Sequence, residues 1–240
     1  MSIPQPSEAS PTSEPILQAA AELMRVDGID GLSTRAVAIA AGVQPPVIYR
    51  QFGNKNRLLD AVTLFVFEKY IAEKRRLIAT CPDPLRELKQ LWDLHVDFGL
   101  TNPDCYLLAY VYSGRTTASA CAAQSFDLLR EVVAQLGSEG RLRMSVERAT
   151  ALLRSSAKGV VLTLIALPPQ ERDLQVSHIM RDNTLAQITY DEPELVARLS
   201  DISARADELR QRLRHYRNCR LTSAERALLA EWLHRLADDA

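Results

Sequence analysis

The sequence predicts an all-α protein: an N-terminal three-helix domain holding a helix-turn-helix, then a larger helical domain. Three observations carry that expectation. Apolar residues recur at spacings of three and four along nearly the whole chain, and the period-two alternation of a half-buried strand is almost absent. Pro, Gly and Asn-Pro fall between the periodic stretches, where helices must stop. Two short periodic stretches meet at Gly42 early in the chain, the pattern of a helix-turn-helix.

The elements follow in order. Pro15 can open a first helix, because the first turn has no use for the N–H that proline lacks. Ile16, Ala20, Leu23 and Met24 give that helix its apolar face, and Asp27-Gly28 ends it. A second helix runs from near Ser33 to Gly42, and a short third from Pro45 to about Gln51. Asn54 can cap a long fourth helix that carries Leu58, Leu59, Val62, Phe65, Val66 and Tyr70. After the break at Cys81-Pro82-Asp83-Pro84, Asp83 caps a helix with Leu85, Leu88, Leu91, Trp92, His95 and Phe98, which stops at Asn102-Pro103. A short segment from Asp104 to Tyr112 and the pair Ser113-Gly114 precede an Ala-rich helix to Gly137. Ser145 opens a helix to Pro168-Pro169, and another spans about Glu171 to Thr189. In the tail, Leu195, Leu199, Ile202, Ala206, Leu209, Leu213 and Tyr216 form a short heptad seam, which fits two helices of one subunit or a contact between two subunits. Thr222 and Glu225 form a capping box for a last amphipathic helix with Leu228, Leu229, Trp232, Leu233 and Leu236.

Bulk composition narrows the classes. The 240 residues, 47% hydrophobic and 25% charged, suffice for a buried core. Cys81, Cys105, Cys121 and Cys219 contain no CxxC pair and no paired His stands beside them, so reduced thiols and no metal site are expected. The Ser/Pro-rich start lacks the basic and apolar regions of a signal peptide. Val160 to Leu167, the longest largely apolar stretch, falls far short of the roughly 20 residues of a membrane span, so a soluble, cytoplasmic chain is expected. There is no GxSxG, no HExxH and no glycine-rich phosphate loop, and Asp93 with His95 lacks a nucleophile. Neither catalysis nor a cofactor is expected.

A net charge of −1 does not advertise a nucleic-acid partner. Its distribution does more: Ser33 to Asp60 holds Arg35, Arg50, Lys55 and Arg57 against the lone acid Asp60, whereas Met1 to Leu32 is acidic. In that basic segment Gly42 permits a sharp turn, and small Ala36, Val37, Ala40 and Ala41 let two helices approach, with Val43 and Ile48 as inward wedges. The helix after the turn has only about two turns. So short a helix gives a core little, but its N-terminal residues suit the major groove of DNA. An ordinary helical hairpin in an all-α core is the alternative.

The stretch Ile16 to Val62 resembles the DNA-binding domain of the tetracycline-repressor (TetR) family. The matching residues are Ala19 to Leu23, Asp27-Gly28, Leu32 to Arg35, Ala40 to Val43, Val47 to Phe52, Asn54-Lys55 and Leu58 to Val62. The resemblance implies a sequence-specific transcriptional regulator, a repressor released from its operator by a small molecule. The partners would be a palindromic double-stranded DNA operator, a small-molecule effector and a second copy in a homodimer. A DNA-binding structural or assembly protein without an effector is the alternative. The implied organisation is a disordered arm at 1–14, the helix-turn-helix domain at 15–62, a ligand-binding and dimerisation domain at 63–191 and a helical extension at 192–240.

Roles follow from the matching positions. Tyr49 stands where the family places a phosphate-contacting tyrosine, and Lys55 where a lysine joins a helix N-terminus on the DNA backbone. Ser33 and Thr34 match hydroxyls that touch phosphate, although Ser33 is also a good N-cap, and Arg35 can reach phosphate or guanine. Pro45 and Pro46 preset the first turn of the reading helix but remove two N–H donors. Val47 can offer a methyl surface to thymine, Arg50 lies near the helix surface, and Gln44 remains to read a base edge, adenine being its best match. Leu152, Leu153, Ala157, Val160, Val161, Leu164 and Ile165 are candidates for the dimer face or for core burial. Trp92, His95, Phe98, Tyr106, Tyr110, Tyr112 and Phe126 are candidates to line an effector cavity, with His95 and Arg154 orienting the ligand, simple packing being the competing account.

Overall fold

The computed structural model describes residues 13–81, 83–111, 117–190, 202–215 and 221–238. They form helices and turns, with no strand among the described residues. The elements are α1 (Ser13–Gly31), α2 (Thr34–Ala40), α3 (Pro45–Phe52), α4 (Lys55–Thr80), α5 (Pro84–Thr101), α6 (Pro103–Tyr110), α7 (Thr117–Ser138), α8 (Val146–Ile165), α9 (Gln175–Ile188), α10 (Ile202–His215) and α11 (Ser223–Asp238). The chain divides into two compact units, Met1–Ile188 and Thr189–Ala240.

Local chemistry sets most boundaries. Asn54 accepts from the Arg57 N–H at 2.9 Å, Asp83 from Arg86 at 3.2 Å and Ser145 from Arg148 at 3.3 Å, so each caps its helix as the sequence predicts. Gly28, at φ 70°, breaks the helical path at the Asp27-Gly28 pair expected to end the helix, but α1 resumes past this break and runs to Gly31. Ser13 and Glu14 already belong to α1 rather than to the arm expected at 1–14; residues 1–12 lie outside the described ones. The helix expected from Glu171 begins at Gln175, because Pro169–Glu171 makes a separate 3-10 turn and Asp173 caps the Gln175 N–H at 2.9 Å. The expected boundary near Val62 falls inside α4, whose 26 residues run unbroken from the helix-turn-helix into the body of the first unit.

The core of that unit gathers Ile16, Ala20 and Met24 of α1, Val37 and Ala38 of α2, Ile48 of α3 and the inner faces of α4 to α9. Two faces differ from the expected ones. On α4 the buried residues are Leu58, Val62, Thr63, Phe67, Tyr70, Ile71 and Lys74, whereas Leu59, Phe65 and Val66 are only half-buried. On α2 it is Ala38, not Ala40, that is buried beside Val37.

In the second unit, α10 packs on α11. Thr222 and Glu225 form the predicted capping box: Thr222 N–H donates to the Glu225 carboxylate at 2.8 Å, and Glu225 N–H donates to the Thr222 hydroxyl at 3.3 Å. Of the heptad seam, Ala206 is buried, Leu213 half-buried, and Ile202 and Leu209 exposed; Leu195, Leu199 and Tyr216 lie outside the described residues.

Candidate functional site

Two features of the first unit bear on function, an outward surface around α3 and a chamber inside the helical body.

The surface is built by a tight junction. Gly42 adopts φ 67°, a conformation that side chains resist, and lets α2 turn into α3. Ile48 is fully buried under α3, and Val43 and Val47 are half-buried against the same core. Val47 therefore spends much of its methyl surface inside the protein, which limits the thymine contact expected of it. Gln44 occupies the N-cap position with its side chain making no cap bond, and it is exposed together with Pro45. Tyr49 is 55% exposed, a large exposure for an aromatic, and its hydroxyl accepts from the Thr34 hydroxyl at 3.2 Å. That bond ties the start of α2 to the middle of α3 and leaves the tyrosine O–H free to donate.

Arg35, Arg50, Lys55 and Arg57 are exposed as well. Ser33 accepts from the Ala36 N–H at 3.1 Å, so it serves as a helix cap, and it remains exposed. Ile39, 72% exposed on α2, is a surface residue that sequence reasoning did not single out. Its isolated apolar side chain gave no signal within a helical period.

Inside the body, a chamber of about 30 Å³ lies among α4, α5, α7 and α8. That is room for about two waters. Lys74, Trp92, His95, Ser125, Phe126 and Arg154 stand around it, with Leu88, Leu91, Leu129, Leu153 and Ala157 completing the wall. Four of the eight candidate cavity residues, Trp92, His95, Phe126 and Arg154, are thus brought together. Tyr106 and Tyr110 are not on the wall; they pack behind His95, with ring centroids 5.3 Å from it in both cases. Phe98 stacks on Tyr70 at 4.2 Å, away from the wall, and Tyr112 lies outside the described residues.

His95 is a clamp. Its Nδ1 bonds the Tyr70 hydroxyl at 2.9 Å and its Nε2 the Tyr106 hydroxyl at 3.0 Å, so both ring nitrogens are used within the protein. Burial, helped by the Lys74 charge, pulls its pKa down to about 3. A neutral ring donates through one nitrogen and accepts through the other, so one tyrosine hydroxyl donates to it and the other accepts from it. That leaves His95 no polar atom with which to orient a ligand, contrary to the role expected of it.

The polar group the sequence reading missed is Lys74. It is 3% exposed, and its ammonium donates to the Ser125 hydroxyl at 2.8 Å and to the Ser125 carbonyl at 3.4 Å. It also lies 5.0 Å from the Tyr70 ring centre. Burial without a nearby anion lowers its pKa to about 7. A signal was present: Lys74 follows Tyr70 by four residues, on the face that buries Phe67 and Ile71.

Helix α6 joins the bend in α1 to the chamber wall. Asp104, in its first turn, accepts the Ile29 N–H at 2.7 Å where α1 bends at Gly28. Tyr106, two residues on, holds His95 on the chamber wall.

A two-turn helix set out from its own core at a glycine turn, with polar and basic groups exposed around it, defines a helix-turn-helix DNA-binding protein. Residues 16–62 match the family described as "Bacterial regulatory proteins, tetR family". Over 57 residues the chain is 39% identical to the class D tetracycline repressor of Escherichia coli, covering 24% of this chain and 26% of that protein. It is 27% identical over 146 residues to the nucleoid occlusion factor SlmA of Marinobacter nauticus, covering 60% of this chain and 75% of that one. The likeness to that family thus lies in residues 16–62, which match its DNA-binding domain. The chain spans about a quarter of the class D repressor's length.

Beyond that domain the likeness is one of fold. A TetR/AcrR-family regulator from Thermobifida fusca superposes with a TM-score of 0.60 at 22% identity, over 71% of this chain and 94% of that one. The FadR regulator of Bacillus subtilis, solved with stearoyl-CoA, gives a TM-score of 0.60 at 16% identity, over 73% and 99%.

Proposed function

We propose that this regulator is a homodimeric repressor that binds a palindromic operator through α3 and leaves it when a small molecule enters the chamber. The observation that carries the reading is the α3 surface, where Tyr49 is held by Thr34 and flanked by Gln44, Arg50 and Lys55, all exposed. Gln44 would read a base edge, Arg35 a phosphate or guanine, and Ser33, Thr34, Tyr49 and Lys55 the backbone, with Pro45 and Val47 setting the approach. One short helix reads too few base pairs alone, so a two-fold dimer would present two copies about one DNA turn apart.

The dimer face proposed is the outer side of α8 and α9. Of the seven candidates for the dimer face or for core burial, Leu153, Ala157, Val160, Val161 and Leu164 are buried in the subunit's own core. Leu152, Val176, Ile179 and Met180 remain exposed, and the space around Gly159 is open enough for a second helix to come close. On α9 the three apolar residues follow a spacing of three and four, a stripe that a second copy would cover.

The chamber is favoured over the wider groove of about 770 Å³ between α1, α4 and α5, which is open to solvent and has the Arg25–Glu22 pair on its rim. The Tyr106–Asp104 side of α6 gives a change at the chamber a route to the bend in α1. A DNA-assembly protein without an effector is not favoured, since such a protein has no use for a buried lysine facing a chamber. Selection of bound duplexes from a random pool tests the reading. A recovered two-fold symmetric site supports it, and a pool without a shared sequence refutes it.

A further inference from the structure

We infer that the chamber takes a small carboxylic acid with a flat apolar body, its carboxylate held by Lys74. The inference rests on the effector reading above and adds the chemical class of the ligand. Lys74 is buried with three N–H donors and finds only Ser125 to receive them, once through the hydroxyl and once through a longer bond to the carbonyl. No carboxylate among the described residues pairs with Lys74 or with Arg154. A buried cation left without an anion is disfavoured unless something else supplies the charge.

The space is also of the right kind. Room for about two water-sized atoms is what a carboxylate's two oxygens occupy. The rest of the wall is apolar and partly flat: Trp92 and Phe126 with Leu88, Leu129 and Leu153. Arg154 is exposed and lies 5.0 Å over the Phe126 ring, so the mouth is on that side, and the ligand body would enter by displacing the Phe126–Arg154 pair. Two cations facing one chamber argue against a cationic ligand. A neutral one could accept a hydrogen bond from Lys74 but would leave its charge without an anion.

The test uses benzoate and its neutral isostere benzamide, in a Trp232→Phe background so that Trp92 alone reports by fluorescence. Benzoate should quench Trp92 saturably, and benzamide should bind at least about tenfold more weakly, the ratio a charge-assisted bond supplies. Lys74→Met should lose benzoate binding by a similar factor while keeping its helical circular dichroism and its benzamide affinity. Arg154→Gln should weaken benzoate less. Equal affinity for the two probes, unchanged benzoate binding in Lys74→Met, or no binding of benzoate or phenylacetate at millimolar concentration would overturn the inference. None of these measurements involves DNA, so their failure is separate from failure of the regulator reading. Release of a selected operator by neutral or cationic compounds alone would keep that reading and overturn this one.

Discussion

Lys74→Met should stabilise the protein, and by an amount that falls as pH rises. The lysine loses its proton in the folded chain near pH 7 and in the unfolded chain near 10.5. Between those values the unfolded state binds more protons, so wild-type stability rises with pH; below about 7 the full penalty of the buried charge is present. At about 1.36 kcal/mol per pH unit the fall from 10.5 to about 7 sets a ceiling of about 5 kcal/mol. The variant gives up the bond to Ser125, which contributes about 1 kcal/mol. Methionine keeps the length and apolar stem of the side chain, so little cavity is left. Urea unfolding at pH 6 should then show the variant more stable by about 2 to 4 kcal/mol. The gap should narrow by up to about 1.4 kcal/mol per unit between pH 7 and 9. A variant less stable than wild type at pH 6, or a gap that does not change with pH, would refute the account of Lys74 as an unpaired buried cation.

Other substitutions separate the parts of the interface. Gln44→Ala should relax base preference in a selection experiment while leaving nonspecific affinity unchanged, whereas Lys55→Ala should weaken every duplex and lower the log–log salt slope by about 1. Equal losses across sequences for both variants would contradict that division. Tyr49→Phe should reduce operator affinity by about 1 kcal/mol in electrophoretic or anisotropy assays, with Tm unchanged because the tyrosine is exposed and Thr34 keeps a water partner. Asp104→Ala removes the acceptor of the Ile29 N–H and should lower stability by about 1 to 3 kcal/mol in urea unfolding, with effector and operator binding less tightly coupled.

Much of the fold was legible because its boundaries are local. Ser33, Asn54, Asp83 and Ser145 cap helices with their own side chains, and Gly28 and Gly42 stand where positive φ is required, so a few residues suffice to place each end. Faces were less legible. Helix α4 meets α1, α5 and α7 along 26 residues, so its buried side shifts along its length and takes in Phe67 rather than Phe65. On α8, Leu153 and Leu152 are equally apolar; which of them the subunit buries depends on where α5, α7 and α9 lie. The chamber was legible in its aromatics and in Arg154, but not in its buried charge, Lys74. A lysine in a helix reads as solvated, and only its place one turn after Tyr70 marks Lys74 as an inward residue. His95, singled out as a ligand group, turned out to be committed to Tyr70 and Tyr106, partners 25 and 11 residues away.

The central claim is that α3 reads a specific DNA sequence in duplicate. Its most direct test is the dissociation constant of the full-length protein for a selected operator and for a scrambled duplex, measured side by side at one salt concentration. Specific recognition by a dimer predicts a ratio of at least about a thousandfold, falling steeply when either half-site is replaced. Comparable constants for the two duplexes would contradict it.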